Sequence, residues 1–188
     1  MTTRSAAFAP AHGVDWRWLE AAVRTAWRSC RDWPCEQGGL DGSWTSMPRV
    51  ATHTPYPASH AIGIARTFTV QTMQKWGVTD RTDDVAAVVT ELLTNALRHA
   101  LPQAQQAAQT LSPWPIKLGL LHPGSHVVCA IADPSVHVPE LRQPDWQDES
   151  GRGLLVVAAL SDHWGSCAAP DEQGKVVWGA FRTASRPY

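Results

Sequence analysis

The stretch "DDVAAVVTELLTNALRHA", residues 83–100, sets the tightest limit on what this chain can fold into. An α-helix turns about 100° per residue. On that wheel Val85, Val88, Val89, Leu92 and Ala96 form one apolar stripe, widened to one side by Leu93. A stripe of that width has to be buried against another layer. Thr82 or Asp83 is the expected N-cap, and the acidic first turn suits a helix N-terminus. Along the stripe's other margin lie Glu91 and Asn95, one turn apart, with Asp84 and Arg98 nearby and His99 toward the apolar centre. An acid and an amide bordering a core look into a neighbouring space. Taken alone, the short ExxxN spacing also describes an ordinary solvated helix edge.

The rest of the chain supplies the missing layer. Residues 15–33, "DWRWLEAAVRTAWRSCRDW", read as an amphipathic helix with Trp16, Leu19, Val23, Trp27 and Cys30 on one stripe. Arg17, Arg24, Arg28 and Arg31 lie mostly off it; Asp15 is the expected cap, and Pro34 ends the pattern. A turn-rich linker follows, and a boundary is expected near residue 46. A helix is predicted over 57–76, with Ile62, Ala65, Phe68, Thr69 and Met73 inward and Gly77 as its stop. Residues 101–115 read as a Gln/Ala-rich loop. Then "IKLGLLH" (116–122) and "HVVCAIAD" (126–133) flank "PGS" as a β-hairpin. After a Pro-rich irregular segment, 153–160 reads as a helix, and "HWGSCA" and "KVVWGAF" as closing strands about a turn at "PDEQG". Helices, hairpin, loop, helix, hairpin predict an α+β two-layer sandwich: a mostly antiparallel mixed sheet with helices on one face. Residues 1–46 form a Trp-rich helical extension and 47–188 the main domain.

Composition narrows the function classes. A hydrophobic fraction of 44% and a net charge of -1 point away from disorder and from a polyanion-binding surface, so no direct nucleic-acid partner is expected. No run approaches the roughly 18 apolar residues of a membrane span, and "MTTRSAAFAPAHG" lacks an apolar signal core, so a cytoplasmic location is expected. Cys30, Cys35, Cys129 and Cys167 match no paired zinc pattern; Cys129 and Cys167 sit in strand-like runs as small buried residues. Five of the ten tryptophans precede residue 50, so the extension is no ordinary tail. It can dock on its own domain, pair two copies as a homodimer or bind a partner, and docking is the expectation because exposed Trp is costly.

Other parts fall in an order that gives the polar helix edge a use. Asp133 ends an apolar strand, where an acid can accept a hydrogen bond from an exocyclic amine. Gly151 and Gly153, in "SGRGLL", open a helix, and a glycine-rich turn into a helix N-terminus offers N–H groups and a favourable dipole to phosphates. An amide oxygen can ligate Mg²⁺, and a carboxylate can act as a general base. Together "TELLTNALRHA", "SGRGLLVVAALSDHWG" and "GKVVW" resemble the GHKL ATPases with their Bergerat fold. Within that superfamily they are most similar to the stand-alone serine/threonine-protein kinases that act as anti-sigma factors. The resemblance covers roughly residues 47–184.

What the resemblance implies is specific. Asn95 is expected to coordinate the Mg²⁺ that bridges the ATP phosphates, and Glu91 to be the catalytic base. His99 matches a histidine that often follows in this group, which implies a cofactor-binding place facing the phosphates or the Mg²⁺ shell, with a buried structural histidine as the alternative. Asp133 is expected to take the adenine amine, and Gly151, Arg152 and Gly153 to shape the phosphate-binding end of the lid, Arg152 also countering phosphate charge. The implied partners are an anti-sigma-factor antagonist protein, phosphorylated on serine or threonine, and a sigma factor. Two departures stand out. "DPSVH" puts Ser135 and His137 where the superfamily's DxGxG has glycines, and "GKVVW" puts Val176 where a hydroxyl-bearing residue often follows Gly-Lys. Both predict weakened nucleotide affinity, and they motivate a rival reading as a non-catalytic switch that binds nucleotide or protein and sequesters a partner. A histidine-kinase catalytic domain ranks lower, since no two-helix region with a phospho-accepting His precedes the domain; a plain ATPase is the remaining alternative.

Overall fold

The computed structural model describes residues 17–29, 48–55, 60–100, 116–141, 152–169 and 174–184. In chain order these form α1 (Arg17–Ser29), β1 (Arg49–His53), α2 (Ala61–Trp76), α3 (Thr82–Asn95) with a π-helical turn at Ala96–Ala100, β2 (Lys117–His122), β3 (His126–Asp133), α4 (Gly153–Leu160), β4 (His163–Ala168) and β5 (Lys175–Arg182). The strands make one five-stranded sheet in the order β1-β2-β3-β5-β4. Every pairing among the described strands is antiparallel, so the sheet is uniform rather than mixed. The fold is the expected α+β sandwich.

Side-chain parity divides the core into two. Leu118, Leu120, Val127, Cys129, Ile131, Val177 and Phe181 face α2, α3 and α4, where the stripe of Val85, Val88, Val89, Leu92 and Leu93 closes over them. The intervening residues Leu121, Val128, Ala130, Ala132, Val176, Trp178 and Ala180 pack against Trp18, Leu19, Ala22 and Val23 of α1. α1 is thus a third layer on the opposite face, in line with docking on its own domain. Its buried stripe is shifted from the expected one, with Trp18 and Ala22 joining Leu19 and Val23. Asp15, Trp16 and Cys30 lie outside the described residues, as does the side chain of Trp27. Arg24 and Arg28 are exposed as expected. The helix sits close because β2 carries Gly119 beneath it: a Cβ there would come within 2.7 Å of the Trp18 ring and 2.9 Å of Leu19. Covering both faces explains why β3 is buried at all eight positions and does not alternate.

Local details adjust the sequence reading. α2 buries Ala65, Thr69 and Met73 and ends at Gly77 in the left-handed conformation, as its sequence predicts. α3 is capped by neither Thr82 nor Asp83. Arg81 is the N-cap, and the Thr82 hydroxyl donates backward to Val78 O at 3.0 Å. Arg81 ties three elements together instead. Its guanidinium donates to Leu160 O at the end of α4 (2.9 Å), pairs with Asp84 (3.3 Å) and lies 5.5 Å from the centre of the Phe181 ring. β1 was not foreseen; its five residues are each half-buried, so they carry neither a continuous apolar run nor an alternating one. The boundary near residue 46 and the turn at 170–173 lie outside the described residues.

Candidate functional site

Glu91 and Asn95 occupy the margin of α3. Both are half-buried, while Leu92 and Leu93 beside them are locked in the core and fix the helix's rotation. Thr90 and Thr94 satisfy their hydroxyls locally, donating to Ala86 O (2.8 Å) and Thr90 O (2.7 Å), so they leave the acid and amide unengaged by neighbours on that turn. Directly after Asn95 the helix widens into the π-helical turn. Its bonds span five residues instead of four, so the four-residue alignment that holds for Glu91 and Asn95 does not continue to His99. The His99 side chain lies outside the described ones, and Arg98 is exposed.

The first turn of α4 comes down on this pair. A Cβ built on Gly153 would meet Glu91 Oε2 at 2.8 Å and the Asn95 amide nitrogen and oxygen at 3.4 and 3.5 Å. Gly153 is therefore the residue that lets the helix start touch the acid and the amide. Arg152, exposed, precedes it, and its carbonyl accepts from the N–H groups of Leu155 and Val156. α4 has no acidic residue in its first turn, so its N-terminal partial positive charge is not neutralised from within. Gly151 lies outside the described residues.

Asp133 ends β3 on the same face of the sheet as Ile131, the face that α3 and α4 cover. Its Oδ1 accepts from Ser135 N–H at 2.8 Å and from Lys175 Nζ at 2.9 Å, and its side chain is 4% exposed. Burial pushes its pKa above the usual carboxylate value; the hydrogen bond and charge of Lys175 and the Ser135 N–H pull it back. The "DPSVH" departure now has a local account. Asp133 caps Ser135 N–H, and Ser135 Oγ accepts from His137 N–H at 3.2 Å, two successive side-chain turns where glycines were expected. The Val176 expectation needs correcting. Val176 pairs with Ala132 and faces α1, away from Asp133, so it borders no base-binding space. Lys175, opposite Asp133, and Val177, opposite Ile131, occupy the helical face. A cavity of about 460 Å³ opens beside this end of the sheet, with Val136, Val138, Ser166, Gly174 and Lys175 among its walls. The structure thus brings Glu91, Asn95 and Gly153 into contact, and separately gathers Asp133, Ser135 and Lys175, with both groups on one side of the sheet.

A sequence model described as a histidine kinase-like ATPase domain matches residues 57–180, well over half of the chain. The chain belongs to the histidine kinase-like ATPase family. The fold is shared with the structure of the RsbU and RsbW domains of Rv1364c from Mycobacterium tuberculosis, at a TM-score of 0.51 and 17% identity. That match covers 74% of this chain and 33% of the other, so this chain spans about a third of the protein it resembles. No curated protein matches the sequence. As a histidine kinase-like ATPase domain, the fold is of an ATP-binding type.

The residues present suit Mg²⁺ delivered with nucleotide. Asn95 and Glu91 offer hard oxygen donors, and Mg²⁺ typically takes one or two protein ligands and completes its shell with phosphate and water. Among the described residues no group of three or more His, Cys, Asp or Glu is placed to hold a metal ion unaided. Among the same residues no helix is long and apolar enough to cross a membrane. Sequence reasoning missed Lys175 as a site residue. The signal was available in "GKVVW", but only strand register puts that lysine opposite Asp133.

Proposed function

We propose that this histidine kinase-like ATPase domain is a regulatory serine/threonine-protein kinase that passes the γ-phosphoryl group of Mg²⁺·ATP to a small antagonist protein of an anti-sigma system. The observation that carries the reading is the contact of Gly153 with Glu91 and Asn95, which sets a helix N-terminus against a carboxylate and an amide one turn apart. When bound, Mg²⁺ supplies charge neutralisation on the phosphates. Asn95 holds the metal through its amide oxygen. Glu91 accepts the proton of the attacking hydroxyl. The start of α4, with Arg152 and the glycines on either side, orients the phosphates by N–H donors and dipole. Asp133 takes the amine of the base. Phosphoryl transfer needs little covalent help, so positioning and electrostatics of this kind suffice. The sequence resemblance to anti-sigma-factor kinases supplies the substrate class and a sigma factor as the second partner; the Rv1364c structure, with its RsbU and RsbW domains, is in keeping with that setting.

A non-catalytic switch is the second reading, favoured by the engagement of Asp133 with Lys175. One experiment separates the two. ATP binding is measured with and without Mg²⁺, and labelled phosphate transfer to an antagonist protein is followed. The kinase reading expects Asn95→Ala to weaken Mg²⁺-dependent binding by about tenfold or more. It expects Glu91→Gln to bind ATP normally and lose about a hundredfold or more in transfer rate. ATP binding without any phosphoprotein selects the switch. Binding indifferent to metal and to Asn95 removes the site altogether.

A further inference from the structure

The Asp133–Lys175 contact is a buried ion pair on the helix-covered side of the sheet, and the phosphoryl-transfer scheme leaves the lysine unused. Both donors to the carboxylate fall on Oδ1, Ser135 N–H at 2.8 Å and Lys175 Nζ at 2.9 Å. The ammonium also donates to Ser135 O at 3.3 Å. Water has little access: the two side chains are 4% and 13% exposed. The backbone enforces the pairing. Asp133 and Lys175 are register partners. Gly174, at φ 129°, brings the start of β5 so near the Asp133 carbonyl that no side chain fits there.

A carboxylate gripped through one oxygen cannot rotate, so it presents its other oxygen in one direction. An ionised carboxylate only accepts hydrogen bonds, whereas a protonated one also donates. We propose that Lys175 determines base specificity: it holds Asp133 ionised and in one orientation, so that the site takes a purine with an amine at the contact position and refuses one with a carbonyl there. This deepens the nucleotide-site reading above and rests on it. A carbonyl oxygen set against a fixed carboxylate leaves two acceptors facing each other with no proton between them, and a buried site rejects such a mismatch. Without the ammonium, burial favours the neutral acid, which can donate to the carbonyl and tolerate either base. The groups that bear on the Asp133 carboxylate are Lys175 from β5 and the neutral Ser135 N–H from the segment after β3.

The test compares ATP with inosine triphosphate, which differs by a carbonyl in place of the amine, by titration calorimetry with Mg²⁺ at pH 6 and pH 8. Wild type is expected to prefer ATP by about tenfold or more at both pH values. Lys175→Met is expected to bring the two nucleotides within about threefold at pH 6 and to make the ratio depend on pH. Lys175→Arg, which keeps the charge, is expected to retain the preference. A merely structural lysine would weaken both nucleotides together and leave their ratio alone. Should Lys175→Met fail to fold, Lys175→Gln is read in the same way. ATP binding with no preference in wild type, or with an unchanged ratio in the uncharged variant, overturns this inference and leaves the nucleotide site standing. A wild-type protein that binds neither nucleotide overturns both.

Discussion

Gly153 is where one missing side chain matters most to the site. The contact that a Cβ would make is with Glu91 Oε2, the far end of a flexible side chain, not with backbone. Gly153→Ala is therefore expected to leave stability within about 1 kcal/mol of wild type while pushing the carboxylate aside. A displacement of about 1 Å at a reacting group costs on the order of a hundredfold in rate. Unfolding in urea and transfer to the antagonist protein, measured side by side, check this. Loss of both together would mean that the glycine serves packing. Gly174 differs, because the obstruction there is the main chain of Asp133 and Pro134 and its φ is positive. At this scale residue type and spacing left Glu91 and Asn95 open to reading as a plain helix edge, and it was the family resemblance that singled out Glu91, Asn95 and Asp133 as candidates. Neither could show which neighbour would reach them. Lys175 and Ser135 act on Asp133 because a strand register and a turn put them there.

Among the elements, α1 carries the most testable claim. Leu19 is fully buried against the sheet, and Trp18 and Val23 are nearly so. If α1 belongs to the cooperative core, Leu19→Ala removes about 2–5 kcal/mol of stability, the cost of a buried leucine and the cavity it leaves. Urea unfolding measures it. A change near zero would show α1 to be an appendage rather than a layer. α4 is placed by the packing of Leu154, Val157 and Leu160 on the core and is tied at both ends: Arg81, at the start of α3, donates to the Leu160 carbonyl, and Gly153 lies on Glu91 and Asn95. Periodicity found α2 and α3 because each has an apolar face and a stop or start signal; α4 is an unbroken apolar run that opens at Gly153. Periodicity missed β1, whose half-buried residues show no such contrast, and the π-helical turn after Asn95, for which no residue type gives a cue.

The whole molecule couples folding to pH through His126 at the start of β3. It is 4% exposed, and its pKa is lowered to about 4, first by burial and then by the charge of Arg182, with Asp162 opposing. The unfolded chain takes up this proton near pH 6.5 and the folded chain only near 4. The contribution is thus complete above about pH 6.5 and is lost as pH falls toward 4, with an upper limit of about 3 kcal/mol. Asp133 acts with the opposite sign, since a raised carboxyl pKa favours the folded state where it is protonated. Urea unfolding at pH 7.5, 5.5 and 4.5 should show falling stability, with a shallower slope in His126→Gln; equal slopes would rule His126 out as the cause. By itself the sequence determined the α+β plan and the buried stripe of α3, because apolar periodicity and turn chemistry are local properties; the candidate site residues followed from the family resemblance of its motifs. Only the tertiary structure decided that α1 covers the second face, that Gly153 meets Glu91, and that Lys175 rather than Val176 stands at Asp133. Those are contacts between residues far apart in the chain, set by register and packing, and no local pattern encodes them.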